Sequence, residues 1–300
     1  MQIDLNRFRG CLLGLAVGDA VGTTVEFKSR GSFLSVTDMV GGGPFQLKPG
    51  QWTDDTSMAL CLGTSLLSKA GFDPMDQMDR YWDWYKNGYL SSTGDCFDIG
   101  NTVRQVLEKY KRTGNPFSGS TSPNAAGNGS LMRLARIPIY YFSDLEKTLH
   151  FAGESSRTTH GAQECIESCQ LFAAMLFRAL SGSSKDEILF NTTIRISSSK
   201  IQGIASGNYR QKSMNQITGT GYVVESLEAA LWCFYRTDTF ESAILQAANL
   251  GDDADTTAAI CGQIAGAYYG ETGIPVKWLE CLFVKNEIVS LAEKLAKRTS

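Results

Sequence analysis

Glycine recurs at every fourth position through the first helical segment of this chain, at Gly10, Gly14, Gly18 and Gly22. Residues four apart share one helix face. A glycine inside a helix costs about 1 kcal/mol relative to alanine. A row of them calls for compensation, and the close approach of another backbone supplies it. Far along the chain, Gly262, Gly266 and Gly270 repeat the spacing within Thr256–Gly270. Two readings follow. The two glycine faces lie against each other, or each packs beneath a different neighbour.

The hydrophobic period elsewhere is also helical. Helices are expected from after Asp4 to about Ala20, then over Thr56–Leu67, Asp76–Asn87, Asn101–Lys111, Ser130–Arg136, Glu164–Ala179 and Lys185–Phe190. Further helices are expected over Val223–Tyr235, Glu241–Asn249 and Val284–Lys297. Glycine-rich and polar stretches at Gly41–Gly50, Thr113–Gly129 and Ser197–Gly221 read as loops. Phe33–Val40 has room for one short strand. No linker divides the chain, so residues 1–300 are expected to form one compact all-α domain.

Apolar residues make up 43% of the chain, enough for a substantial core, and the net charge is −3. That balance argues against nucleic acid or an anionic membrane surface as partner. The apolar run Cys11–Val21 is short for a membrane span and contains Asp19. The eight cysteines form no CxxC pair, and Cys165 and Cys169 read as one helix face. A reducing cytoplasm is the expected setting. With only two histidines, His150 and His160, a Cys/His zinc site is not expected.

The chemistry concentrates in two acidic segments. One is Trp52-Thr53-Asp54-Asp55-Thr56; the other is Gly251-Asp252-Asp253-Ala254-Asp255-Thr256-Thr257. Both run into apolar helical patterns, so both stand at helix N-termini. Asp and Thr there are also ordinary caps. One cap needs one such residue, however, and clustered acids repel one another. If the segments meet, Asp54, Asp55, Asp253 and Asp255 gather four negative charges, which two divalent ions would neutralise. Ligands that are all oxygen favour Mg²⁺ or Mn²⁺ over Zn²⁺. Glu26, in a glycine-rich stretch, is a further candidate as ligand or base; the alternative is an exposed loop acid. Asp19 reads equally as a buried hydrogen-bonding residue.

Four segments in this order and spacing resemble the ADP-ribosylglycohydrolases: Leu15–Glu26 (LAVGDAVGTTVE), Thr53–Thr56 (TDDT), Gly127–Arg133 (GNGSLMR) and Gly251–Thr257 (GDDADTT). Cys96–Thr102 (CFDIGNT) is similar to the branch typified by the dinitrogenase reductase-activating glycohydrolase, which cleaves ADP-ribosyl-arginine. The resemblance implies a compact orthogonal helical bundle of that type, with two Mg²⁺ or Mn²⁺ ions in a cleft. It carries the metal-ligand role to Thr53, Asp54, Asp55, Asp253, Asp255 and Thr256, and leaves Asp252 outside. It implies catalytic roles for Asp98 and Glu26. It implies substrate contacts at Asn101, Gly127, Asn128, Gly129, Ser130 and His160. Tyr222 is a candidate to stack on adenine or sugar; it is otherwise an ordinary helix-start aromatic. The implied substrate is a mono-ADP-ribosylated protein, most directly one modified on arginine. ADP-ribosyl-serine, O-acetyl-ADP-ribose, poly-ADP-ribose, a phosphate ester, or a non-catalytic ADP-ribose reader are the alternatives.

Overall fold

The computed structural model describes residues 3–191 and 194–299. Its helices in the first half are α1 (Leu5–Gly22), α2 (Asp54–Ser68), α3 (Pro74–Asn87), α4 (Asn101–Thr113), α5 (Arg136–Tyr140), α6 (Leu145–Thr159) and α7 (Gln163–Leu180). The second half holds α8 (Lys185–Phe190), α9 (Ser199–Ala205), α10 (Val223–Arg236), α11 (Phe240–Ala248), α12 (Ala254–Tyr269), α13 (Val276–Cys281) and α14 (Lys285–Ala296). No strand forms among the described residues.

The two glycine faces do lie against each other. A Cβ on Gly14 would stand 2.2 Å from the carbonyl oxygen of Gly262, and one on Gly262 would stand 1.9 Å from that of Gly14. Gly10 meets Gly266, Gly18 meets Ala258 and Gly22 meets Ala254. Numbers rise along α1 as they fall along α12, so the pair is antiparallel. Backbone meets backbone along the whole contact, and no side chain larger than hydrogen fits at these α1 positions. The pair forms the centre of the main core, with α2, α7, α10, α11 and α14 around it. A second apolar cluster joins α3 and α4 to the outer face of α2 through Met58, Met78, Tyr81, Trp84 and Leu107.

Segment Leu5–Val25 is long and apolar enough, by length and composition, to cross a membrane, which corrects the shorter reading of Cys11–Val21. Here 89% of its apolar window is buried inside the protein. Its surface is covered by α12 and its neighbours.

Three features differ from the expectations. Ser130–Arg136 is a series of turns, and the helix begins only at Arg136. The buried Gln263 of α12 explains this. Its amide donates to the carbonyls of Leu131 and Met132, and its oxygen accepts from the Ala135 N–H. Phe33–Val40 is not a strand; both backbone groups of Val36 are paired by the side chain of Asn249. Helix α9 occupies part of a stretch read as a loop, and α6 and α13 occupy segments for which no helix is expected from the sequence.

Replacing Gly262 by alanine should cost about 1–3 kcal/mol, the usual range for overpacking a fixed core. Gly63→Ala should cost less, because its Cβ would meet side-chain atoms, Leu291 Cδ2 at 2.9 Å and Arg136 Cγ at 3.0 Å, and no backbone. Urea denaturation of the two variants measures the difference; equal costs would contradict a rigid backbone contact.

Candidate active site

The site is assembled from helix starts. The carboxylate of Asp19, fully buried on α1, faces the beginning of α2. Its Oδ1 accepts from the N–H and hydroxyl of Thr53 at 2.8 and 2.9 Å. Its Oδ2 accepts from the N–H and hydroxyl of Thr56 at 3.0 and 2.6 Å. Asp19 therefore caps α2 from another helix. Thr53 stands at the cap position without capping through its own side chain. Asp253 stands likewise at the start of α12 and makes no cap bond. Capping thus accounts for none of the acids in the two segments.

The segments meet across 201 residues of sequence: the Thr256 hydroxyl donates to Asp55 Oδ2 at 3.2 Å, and Thr53 Oγ1 lies 3.2 Å from Asp255 Oδ2. Asp55 and Asp255 are buried, and each retains an Oδ1 with no hydrogen-bond partner. A buried polar atom left unpaired is costly, and two of them on adjacent carboxylates have the chemistry of cation ligands. Oxygen atoms of Glu26, Asp98 and Asp255 also converge to within 4.8 Å of one another. The donor set, carboxylates with threonine hydroxyls, fits a hard divalent ion.

Above these acids opens a cleft of about 410 Å³. Asp54, Asp253, Asp255 and Thr256 form its floor, and Glu26 and Asp98 stand beside them. Thr53 and Asp55 lie just beneath, fully buried. Asn101, at the start of α4, and Gly127, Asn128, Gly129 and His160 line the remaining wall. The loop carrying them is fixed from several sides. The Asn128 amide donates to Asp253 Oδ2 at 2.7 Å and to the Ser226 hydroxyl at 2.8 Å. Its N–H donates to the Gly221 carbonyl, and Gly127 pairs with Tyr222 in an isolated antiparallel bridge. The buried Arg133 guanidinium donates to the Gly129 carbonyl, to Ser155 O and to Thr159 Oγ1. Gly129 has no room for a side chain, since a Cβ would stand 2.8 Å from the His160 ring.

Two expected substrate residues lie off the cleft wall. The Ser130 hydroxyl faces inward, accepting from Ser156 at 2.9 Å. Tyr222 faces a neighbouring cavity of about 560 Å³ that shares Gly127 and Gly221 with the cleft. Its hydroxyl donates to Glu164 and accepts from Lys200. Asp252 does not line the cleft; its backbone exchanges hydrogen bonds with the Phe27 and Lys28 segment. The supporting roles of Arg133, Gln263 and Ser226 have no counterpart in the sequence reading, because an isolated Arg, Gln or Ser gives no local signal of burial.

Electrostatics follow from the burial. Desolvation, then repulsion by Asp98 and Asp253, raises the Glu26 carboxyl to about 10. Desolvation, then Asp19 and Asp253, raises Asp98 to about 7. Asp54, Asp55 and Asp255 are pushed well above the ordinary carboxylate range, burial leading in each case. Burial and the nearby Arg133 lower the His160 imidazole to about 3, so it is neutral.

Buried carboxylates with unpartnered oxygens, gathered at two helix starts of an all-α protein, have the donor set for oxygen-ligand chemistry. The family model for ADP-ribosylglycohydrolase matches residues 1–300. An ADP-ribosylarginine hydrolase Tri1 of Serratia proteamaculans is 45% identical over 291 residues, covering 97% of this chain and 79% of the relative. An ADP-ribosyl-[dinitrogen reductase] glycohydrolase of Rhodospirillum rubrum is 33% identical, covering 94% and 92%. A solved structure, an ADP-ribosylglycohydrolase-related protein complex, superposes with a TM-score of 0.87 at 41% identity, covering 99% of both chains. The chain belongs to the ADP-ribosylglycohydrolase family of enzymes.

The raised acids make stability depend on pH and on cations. An acid whose folded pKa exceeds its unfolded one weakens the fold as pH rises between the two values, here from 4.5 to about 10 for Glu26. The cation-free protein should therefore lose melting temperature between about pH 5 and about pH 8, and Mg²⁺ or Mn²⁺ should raise it more at the higher pH. Thermal shift with EDTA or added metal reads this directly; a metal effect independent of pH would contradict the ligand assignment.

Proposed function

We propose that this protein hydrolyses the N-glycosidic bond joining ADP-ribose to an arginine side chain of a modified protein, with two divalent ions as cofactors. The observation that carries the reading is the pair of buried, unpartnered carboxylate oxygens on Asp55 and Asp255, at the base of a cleft whose other wall is a glycine-rich loop. The 45% identical relative named for arginine-linked hydrolysis supports the choice of linkage. Residues 1–300 are read as one catalytic domain, since the acid segments that would share the ions come from its two ends.

Thr53, Asp54, Asp55, Asp253, Asp255 and Thr256 would hold two Mg²⁺ or Mn²⁺ ions. Bound there, such ions supply electrostatic stabilisation and orientation of a sugar's hydroxyl groups. The protein's own groups do the rest. Backbone N–H groups of the Gly127–Ser130 loop offer donors to a diphosphate, as loop amides do for anions generally. The neutral His160 ring packs against that loop and lines the wall without adding charge. Asp98, whose carboxyl burial holds above the ordinary range, is placed to give a proton to the departing guanidine nitrogen as the C–N bond breaks. Glu26, on the same wall, orients the water whose oxygen forms the new bond to the anomeric carbon, and the proton this water sheds goes to the Asp98 carboxylate left by the first transfer. Its neighbour Asp19, already engaged in four hydrogen bonds, takes no part.

The direct test is release of free ADP-ribose from a protein mono-ADP-ribosylated on arginine, with Mg²⁺, with Mn²⁺ and with EDTA. Release is expected with either metal and not with EDTA. Asp54→Ala and Asp255→Ala should abolish it, and Asp98→Asn should lower kcat by about 10²–10⁴-fold. Full activity in either alanine variant would reject the assignment, and cleavage of the diphosphate in place of the glycosidic bond would move the protein to phosphoester chemistry.

A further inference from the structure

Three phenylalanines pack in a row that starts at the cleft wall. Phe27 follows Glu26, lines the cleft and is 68% exposed. Its ring packs edge-on against Phe45 at 6.5 Å, and Phe45 packs against Phe97 at 5.1 Å. Phe97 directly precedes Asp98. The row thus runs from one wall acid to the other.

Phe27 is held in position by its backbone. Its φ is +62°, a region that bulky residues seldom enter. Its N–H donates to the Asp252 carbonyl, and the Asp252 N–H donates to the Lys28 carbonyl, both at 2.8 Å. Asp252 and Asp98 also have positive φ, at +56° and +57°. A strained backbone that displays a large exposed aromatic beside a catalytic cleft runs against both packing and hydration. Such strain persists where a site uses it.

The charge around the row indicates what it takes. The cleft lining includes Glu26, Asp54, Asp98, Asp253 and Asp255 and no lysine or arginine. Two divalent ions would balance the four acids of the two segments, Asp54, Asp55, Asp253 and Asp255, leaving Glu26 and Asp98 on the wall. Elsewhere on this protein, aromatic rings near the surface have their own cations: Lys86 and Lys111 over Trp82, Arg157 over Phe117, Lys200 over Tyr222. Among the described residues, no lysine or arginine covers Phe27, Phe45 or Phe97. An open aromatic face on an acid-lined wall, with no cation of its own, is a receptor for a planar cation.

We infer that Phe27, braced by Phe45 and through it by Phe97, forms a recognition rim that binds the guanidinium of the ADP-ribosylated arginine and selects it over neutral linkages. The inference rests on the arginine-linked reading above. It adds residues that choose the leaving group, distinct from those that hold ADP-ribose.

The test is binding, with activity read separately. Metal-loaded Asp98→Asn protein is titrated calorimetrically with ADP-ribosyl-arginine and with ADP-ribose. The arginine group should add affinity, and Phe27→Leu should remove about tenfold of it, in keeping with a partly desolvated cation–π contact. Affinity for ADP-ribose should stay within about twofold. Leucine keeps the apolar bulk and removes the π face, and ADP-ribose binding reports that the variant is folded. An arginine group that adds no affinity, or equal losses for both ligands, overturns the rim. If unmutated enzyme releases no ADP-ribose from arginine but the arginine group still adds affinity that Phe27→Leu removes, the hydrolase reading falls and the guanidinium site stands.

Discussion

The contact between α1 and α12 is the constraint on which the site depends. Two helices touching through glycine and alanine cannot drift in depth or register, because the neighbouring atoms are carbonyl oxygens and not flexible side chains. That contact fixes the start of α12, with Asp253, Asp255 and Thr256, relative to Asp19 near the end of α1. Asp19 then fixes the start of α2 by taking its first N–H groups. One backbone interface and one carboxylate bring together acids that lie 201 residues apart.

The assembly carries an electrostatic conflict that is local and deliberate in its placement. Helix N-termini favour anions, and both acid segments exploit this. Yet burial raises every carboxyl in the group, and Asp19 receives the hydrogen bonds that would have relieved Asp54 and Asp55. The consequence is a set of oxygens with no internal partner, in a cleft floored by acids and walled by backbone. Around them, Arg133, Gln263 and Asn128 each pair with buried backbone or carboxylate groups in or beside the loop that faces the acids.

Much of this was legible in the sequence where the signal is local or periodic. The glycine rows of α1 and α12, the helical period of most segments and the paired Asp-Thr helix starts are of that kind. What remained hidden depends on tertiary partners. Ser130–Arg136 has a helical pattern, but Gln263 takes its backbone groups. Helix α6 begins with Asp144 as its cap, whose side chain accepts from Lys147 N–H, yet its polar composition hid it. Ser130 and Tyr222 belong to a loop quoted whole or to a helix start, and only packing decides that the one turns inward and the other faces a neighbouring cavity.

The glycine register also governs how a chain of this kind can change in length. An α-helix turns about 100° per residue, so one residue inserted between Gly10 and Gly22 would carry part of that row off the α12 face and swing Asp19 away from Thr53. A lost residue would do the same in the opposite sense. Growth or shortening is therefore compatible with the active centre only in the connecting loops, and the α1–α12 pair serves as a ruler whose divisions are single turns of helix.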